Sequence, residues 1–428
     1  MKYFSRRYRK ICKLTALIVI VIGITVGCSR KKPSFEDISM AADTTETDTG
    51  FSADVNFLKR FTSIILLEEA TGKGKVALSP ALQGRVMTST SEGNNGFSYG
   101  WINRPAFLSG DTSEHMNAFG GEDRFWLGPE GGQYSIYFEK GKPFSLDNWH
   151  VPKLIDLEPF NVVTATSTEA VFTKDATLVN YSGTVFRLSI ERKVRLIEKG
   201  EALSNLGIDT ASEVSLIAYE SINTLKNTGS EPWKKQTGLL SVWILGMFNP
   251  SENTTIVVPY RGKANSDREG LNDSYFGKVP EDRLKLADNV IYFKGDGKYR
   301  SKIGLSPAVA PEWLGSYDAN NGVLTLVKYT KPKNAKDYVN SLWEIQKQPY
   351  GGDAINAYND GPPSPGAKPL GPFYELETSS PAAALPPDGT LTHVHTTYHL
   401  KGTPEQLDPV MLKLLGTSSK GVTGAFKK

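Results

Sequence analysis

Cysteine is nearly absent. The chain has 428 residues and 2 cysteines, Cys12 and Cys28, so the stretch after Cys28 has no free thiol and no internal disulfide. Its fold must rest on its core alone, and the roughly 375 residues that follow a polar start are enough to bury one. Histidine is scarce too: there are 5, at 115, 150, 393, 395 and 399, and none between 151 and 392. No repeat of fixed period is visible, which excludes a propeller or solenoid. No alternation of strand and helix patterns appears, which excludes a doubly wound α/β sheet. There is no G-x-S-x-G element, dinucleotide fingerprint, zincin helix or Asp-rich EF-hand loop.

The long apolar run is confined to the start. Six basic residues and no acid lie within Met1–Lys13, followed by an apolar stretch from Leu14 to Gly27 and then Cys28. That is the layout of a bacterial export signal, and the run falls short of the ~20 residues of a membrane-spanning helix. Thr25-Val26-Gly27-Cys28 resembles a lipobox, although Thr25 stands where Leu is usual. The resemblance implies a signal peptide over residues 1–27, lipid on Cys28 and a membrane partner. The alternative, an uncleaved anchor, also tethers the chain outside the cytoplasm. Ser29-Arg30-Lys31-Lys32 is basic and so does not resemble the acidic stretch that many surface lipoproteins carry after that cysteine; the comparison implies the periplasmic face over the cell surface. The formal charge of +3 includes the six leader cations, so the remainder is about −3. The basic pI therefore gives no reason to expect nucleic acid. Residues 28–53 are polar and read as a flexible tether, which leaves 54–428 as a single domain, expected to be a monomer.

Within that domain, Asp54 is placed to cap a helix from Val55 to about Phe61. Strand patterns then dominate: 64–67, 76–78, 85–90, 134–138, almost all of 161–197, 213–221, 239–248, 254–260, 290–293, 322–329, 372–378 and 390–400. Pro404 to Leu415 carries a helical apolar stripe. Residues 361–370, rich in Pro and Gly, read as a long loop. More than twelve sequential strands imply a large antiparallel β-sandwich with a few short helices.

Several stretches together resemble the galactose mutarotase-like (aldose 1-epimerase-like) superfamily: Gln83-Gly84-Arg85-Val86 after a hairpin, GGEDRFWLGPEGG at 120–132, GLLSVW at 238–243, and Tyr374-Glu375-Leu376-Glu377 followed by Pro381. The chain is similar to a group of Bacteroidetes proteins of that fold catalogued as a domain of unknown function. The resemblance spans about 54–428 and implies an all-β supersandwich and a carbohydrate ligand.

Candidate site residues follow from chemistry. Carboxylates and guanidinium groups bind sugar hydroxyls through charge-assisted hydrogen bonds, and an indole face stacks on a pyranose. Glu122, Asp123, Arg124, Trp126 and Trp101 are candidates on that ground, with an ion pair between Glu122 and Arg124 and a core role for Trp126 as the plainer reading. Alternation along a strand would put Glu122, Arg124 and Trp126 on one face. Asn223, Lys298, Arg300, Tyr358 and Glu377 complete the candidate cleft. Mutarotation needs a base and an acid. Enzymes of the superfamily use a late Glu and a mid-chain His, which here has no counterpart; the corresponding strand offers Tyr219, Glu220 and Asn223 instead. Glu375, two residues from Glu377 and sharing its face, is the candidate base.

Other readings stay open. Lys294–Arg300 reads first as a hairpin turn around Gly295-Asp296-Gly297, with Lys298 and Arg300 available to an acidic sugar. Tyr358–Gly361 reads as an Asx-turn or a site loop. His393 and His395 share a strand face as metal ligands would or as polar decoration. No metal site is assigned and no cofactor is expected, although the superfamily leaves calcium open. The expected function is a lipid-anchored carbohydrate-binding protein of the envelope. The alternatives are a diverged sugar epimerase or mutarotase and an envelope scaffold whose old sugar cleft is now a protein interface, which a cleft plugged by residues 361–370, with an apolar patch elsewhere, would favour.

Overall fold

The computed structural model describes residues 49–208, 214–262 and 268–427. The leader, Cys28 and most of the expected tether lie outside them. Among the described residues no helix is long and apolar enough to cross a membrane.

Every ladder between paired strands is antiparallel, and the strands form sheets of ten, six and three. The short sheet (Ile65–Glu68, Lys75–Ser79, Arg85–Thr90) packs beside the two large ones. The six-stranded sheet runs, edge to edge, Leu271–Asn272, Ser301–Leu305, Ile355–Asn359, Tyr374–Ser379, Ser241–Phe248 and Arg124–Gly128. Its inner face packs on the ten-stranded sheet: Phe248, Ile303 and Leu376 meet Ile256, Phe293 and Val327 in one core, while Phe125 and Ile244 join Phe186, Leu188 and Tyr219 in another. The back of the ten-stranded sheet is closed by Leu203, Leu407, Met411 and Leu415 of the helical segments 199–206 and 404–415. The all-β sandwich expected from the sequence is therefore the observed architecture.

Several local expectations are corrected. The first helix is Phe51–Lys59, with Gly50 rather than Asp54 as its N-cap. Gly50 has φ 98°, a conformation that favours glycine. Phe51 and Val55 are buried one turn apart, so the apolar stripe begins earlier than Val55. Asp54 instead accepts a bond from Arg104 at 2.8 Å. Residues 134–138 are not a strand; they belong to a covering segment whose Tyr137 hydroxyl donates to Leu127 O. The Gly295–Gly297 turn is no hairpin, because Val290–Lys294 belongs to the ten-stranded sheet and Ser301–Leu305 to the six-stranded one. It is a crossover, pinned where Asn359 donates to Asp296 at 3.2 Å and Arg283 pairs with the same carboxylate. Tyr358 and Asn359 end a strand rather than open a turn.

Gly120 and Gly121 have φ 92° and 114°. A Cβ on Gly120 would collide with Trp101 O, and one on Gly121 would lie 2.6 Å from Arg85 Cδ. The double glycine lets the chain pass between these groups into the strand Arg124–Gly128.

Candidate functional site

Paired residues in a sheet share a face. Tyr358 stands opposite Lys302 and Glu375, and Asn356 opposite Gly304 and Glu377. Trp243 stands opposite Ser379 and Trp126. These residues, with Arg124, occupy the outer face of the six-stranded sheet. Segments 111–150 and 337–353 arch over that face and enclose a cavity of about 970 Å³. Its aromatic walls include Trp149, Trp243, Trp343, Tyr275 and Phe276. The volume lies at the upper end of the ~300–1,000 Å³ typical of small-molecule sites.

Charge is concentrated on the floor. Lys302 Nζ lies 2.9 Å from Glu377 Oε2, which also accepts the indole N–H of Trp243 at 3.0 Å. The ammonium sits 5.0 Å from the Trp243 ring centre and 5.7 Å from that of Tyr275. Burial alone would lower the Lys302 pKa; Glu377, then Glu130, outweigh it and hold it above its ordinary value. Asp353 accepts the Tyr275 hydroxyl and a bond from Asn356 Nδ2 at 3.3 Å. Burial pushes its carboxyl up to about 6 despite these bonds and Lys302. Burial likewise pushes Glu130 up to about 7, with Lys302 opposing. The floor thus combines one committed cation with two carboxyls that titrate near neutrality.

Glu375 lies just beneath this surface, paired with Arg124, and does not reach the cavity lining. Burial raises it to about 7, Arg124 opposing and Glu377 adding to the rise. Arg124 also packs 5.3 Å from the Trp126 ring centre, and Trp126 meets Trp243 edge to face at 5.6 Å. This layer supports the floor.

The sequence candidates therefore separate. Arg300 and Tyr358 line the cavity. Glu375, Glu377, Arg124 and Trp126 lie directly under it. Trp101 is buried against Phe373 at 4.6 Å. Lys298 is on the surface, 3.3 Å from Glu252. Glu122, Asp123 and Asn223 lie between the two large sheets. There Glu122 Oε2 accepts from Ser89 and Tyr219 and meets His399 Nε2, each at 2.9 Å. Asp123 pairs with Arg192 at 2.7 Å, and Arg192 donates to Asn223 at 2.6 Å. No ion pair joins Glu122 to Arg124; regular alternation begins only where the strand does, at Arg124. His393 and His395 are fully buried on the ten-stranded sheet and share the Thr378 hydroxyl at 2.9 and 2.8 Å. Burial lowers them to about 3 and about 4. Among the described residues, no group of three or more His, Cys, Asp or Glu is placed to hold a metal.

Sequence reasoning missed Lys302, Glu130, Asp353, Trp149, Trp343 and Tyr275. Lys302 was within reach, two residues from Arg300 in a stretch already marked as basic. Glu130 stands between Pro129 and a Gly-Gly pair in the stretch that drew attention to Glu122. Asp353 and Trp343 sit in irregular covering segments, which carry no periodic signal. The loop 361–370 contributes Gly361, Pro363, Lys368 and Leu370 to the wall and leaves the cavity open.

Residues 49–426 match the pattern of a family described as "Family of unknown function (DUF6786)". No curated protein matches the chain. Among solved structures, the chain is similar to the Slr1438 protein from Synechocystis sp. PCC 6803, with 11% identity, 80% of this chain and 96% of that one covered, and a TM-score of 0.47. It is similar to a galactose mutarotase-like protein from Lactobacillus casei ATCC 334, with 10% identity, 79% and 100% covered, and a TM-score of 0.46. A galactose mutarotase related enzyme from Lactobacillus acidophilus gives 11% identity, 80% and 98% covered, and a TM-score of 0.43. No activity is carried over from these likenesses.

Proposed function

The chain belongs to this family of unknown function, so its role is read from its own cavity, and we propose that the cavity binds a carbohydrate. The observation that carries this reading is the meeting of Lys302 and the Trp243 indole on one oxygen of Glu377 in the floor of a cavity walled by aromatic rings. Flat aromatic faces suit the C–H faces of sugar rings. The carboxyls of Glu130 and Asp353 and the ammonium of Lys302 supply both donors and acceptors for vicinal hydroxyls. The volume admits more than one ring. On the sequence reading of Cys28, binding takes place at a membrane surface outside the cytoplasm, as part of glycan uptake or processing.

The test is saturation-transfer NMR and calorimetry of the protein with a panel of mono- and oligosaccharides. Saturation of sugar protons that is abolished by Trp243→Ala, with the fold intact by circular dichroism, is the expected result. Silence across neutral and acidic oligosaccharides alike overturns the reading.

A second reading, a sugar isomerase, is favoured by one observation: the Glu130 and Asp353 carboxyls line one cavity, are pushed by burial to about 7 and about 6, and both feel the charge of Lys302. Groups that titrate near the working pH are suited to giving and taking protons. A plugged cleft would have favoured the scaffold reading, and the open cavity favours the other two. Faster interconversion of freshly dissolved anomers, lost in Glu130→Gln or Asp353→Asn, would establish the isomerase.

A further inference from the structure

The cations at the rim of the cavity are not neutralised as those of its floor are. On the floor, Lys302 is committed to Glu377, and beneath it Arg124 is committed to Glu375. Arg300 differs. It lies two residues before Lys302, just ahead of the strand Ser301–Leu305 and against Gly361 of the loop 361–370. Its guanidinium carbon sits 4.0 Å from the ring centre of Phe276. Phe276, 46% exposed, is itself braced edge-to-face by Tyr358 at 5.9 Å. Arg300 has no ion pair and no side-chain hydrogen bond among the described residues, although it lines the cavity and is half-buried. The nearby acid, Asp360, makes no ion pair with it: it accepts the Tyr358 hydroxyl at 2.9 Å and the Gly371 N–H at 3.0 Å, and feels Arg300 only through space, as one of several influences that oppose the rise of its carboxyl on burial. Lys368, also on the wall, is exposed and without a partner among the described residues.

A guanidinium held over a ring and without a hydrogen-bond partner keeps N–H groups available, and a planar carboxylate can accept two of them in bidentate fashion. The stack also fixes the side chain, so little rotamer freedom remains to be lost on binding. The floor has the opposite character. Its one cation, Lys302, is already paired with Glu377, so it offers an anion nothing, and the carboxyls of Glu130 and Asp353 suit hydroxyl groups. The cavity is thus polarised along the Ser301–Leu305 strand, with acids inside and unpaired cations at the rim.

From this we infer that the ligand is an acidic sugar, a uronic acid unit within an oligosaccharide, with its carboxylate held by Arg300 at the rim, assisted by Lys368, and its ring hydroxyls on the Lys302–Glu130–Asp353 floor. The inference rests on the carbohydrate-binding reading and narrows it to a substrate class.

The experiment measures affinity by calorimetry for trimers of galacturonic acid and of glucuronic acid. Each is set against its methyl ester, which removes the charge and keeps the ring, and against the neutral hexose trimer. The expected result is that one free acid binds at least about tenfold tighter than its ester and that this preference weakens at high salt. Arg300→Gln is expected to reduce the preference for acid over ester to within about twofold. Lys368→Ala, in an exposed loop where folding is not at risk, is expected to reduce it partially. Equal binding of acid, ester and neutral trimer leaves carbohydrate binding standing and overturns the acidic-sugar assignment. So does a preference that survives Arg300→Gln. Binding of 6-sulfated or 6-phosphorylated hexoses with no binding of the uronates also overturns it, by moving the anion from carboxylate to a tetrahedral group. Binding by no member of the panel overturns both readings.

Discussion

One oxygen of Glu377 serves two residues of the cavity floor: it lies 2.9 Å from Lys302 Nζ and accepts the Trp243 N–H at 3.0 Å. The other oxygen has no hydrogen-bond partner among the described residues, and the carboxylate is fully buried. A buried carboxylate in this position depends on its cation. Lys302→Met keeps the length of the side chain and deletes the charge, leaving Glu377 uncompensated. The expected cost is about 3–5 kcal/mol, read from urea or guanidinium unfolding. The double variant Lys302→Met/Glu377→Gln removes both charges and is expected to recover much of that loss. A double variant as unstable as the single one would show that the pair does not act as a unit.

The legibility of the molecule was uneven, and the reason is visible in the floor strands. The runs rich in Val, Ile, Thr and Phe between 161 and 197, 239 and 248, and 390 and 400 became strands of the large sheets, because burying an apolar face is what β-branched and aromatic residues signal. Two floor strands carried no such signal. Ser301–Leu305 reads Ser-Lys-Ile-Gly-Leu, and Ile355–Asn359 reads Ile-Asn-Ala-Tyr-Asn. Glycine and asparagine are depleted in strands, yet Gly304 makes room for Asp353, and Asn356 donates to Asp353. The chemistry that makes a floor polar is what hides it from a pattern search. The Glu122-Asp123-Arg124 triplet fails in the opposite way. It looks like a site, and burial turns it to other work: two members enter the inter-sheet network and one supports the floor. Arg300 and Tyr358 were found because a charged or aromatic residue beside a turn is suggestive whether or not the turn has been assigned to the right element.

Gly304 offers a sharper probe of the floor than removing an acid. A Cβ built there would fall within contact distance of Asp353 Oδ2 and of Asn356 Nδ2. Both are side-chain ends, which can move aside, and Gly304 has no positive φ, so alanine is compatible with the backbone. Gly304→Ala is therefore expected to displace Asp353 from Tyr275 and Asn356 while changing stability by no more than about 1–3 kcal/mol. If Asp353 holds sugar hydroxyls, affinity for the bound saccharide is expected to fall about tenfold or more, a loss comparable to that of Asp353→Asn. An unchanged affinity in Gly304→Ala, with Asp353→Asn impaired, would place the role of Asp353 elsewhere than in direct contact.

The titrating groups give the fold a pH dependence of stated sign. Glu130 and Glu375, each raised to about 7, and Asp353, raised to about 6, bind protons in the folded state at pH values where the unfolded chain has released them. Their stabilising contribution is complete below the unfolded carboxyl range, near pH 4. It is lost as pH rises through 6 and 7. His393 and His395, lowered to about 3 and about 4, act in the other direction. Kept neutral by burial, they contribute stability that is present above about pH 6.5 and lost as pH falls towards 4 and 3. Between about pH 4.5 and 6.5 the two sets oppose each other. Above about 6.5 only the carboxyls still titrate. Unfolding free energy is therefore expected to decline from about pH 6.5 to 8 and then level off. Glu130→Gln, which cannot ionise, is expected to make that decline shallower, leaving the part due to Glu375, since one proton held by the folded chain alone is worth at most roughly 1.4 kcal/mol per pH unit. Denaturation midpoints measured at half-unit pH steps for both proteins check this. A wild-type curve that rises through this window, or a Glu130→Gln curve parallel to it, would show that Glu130 is already ionised in the folded protein at neutral pH. It would then serve the cavity as a fixed anion and not as a proton donor.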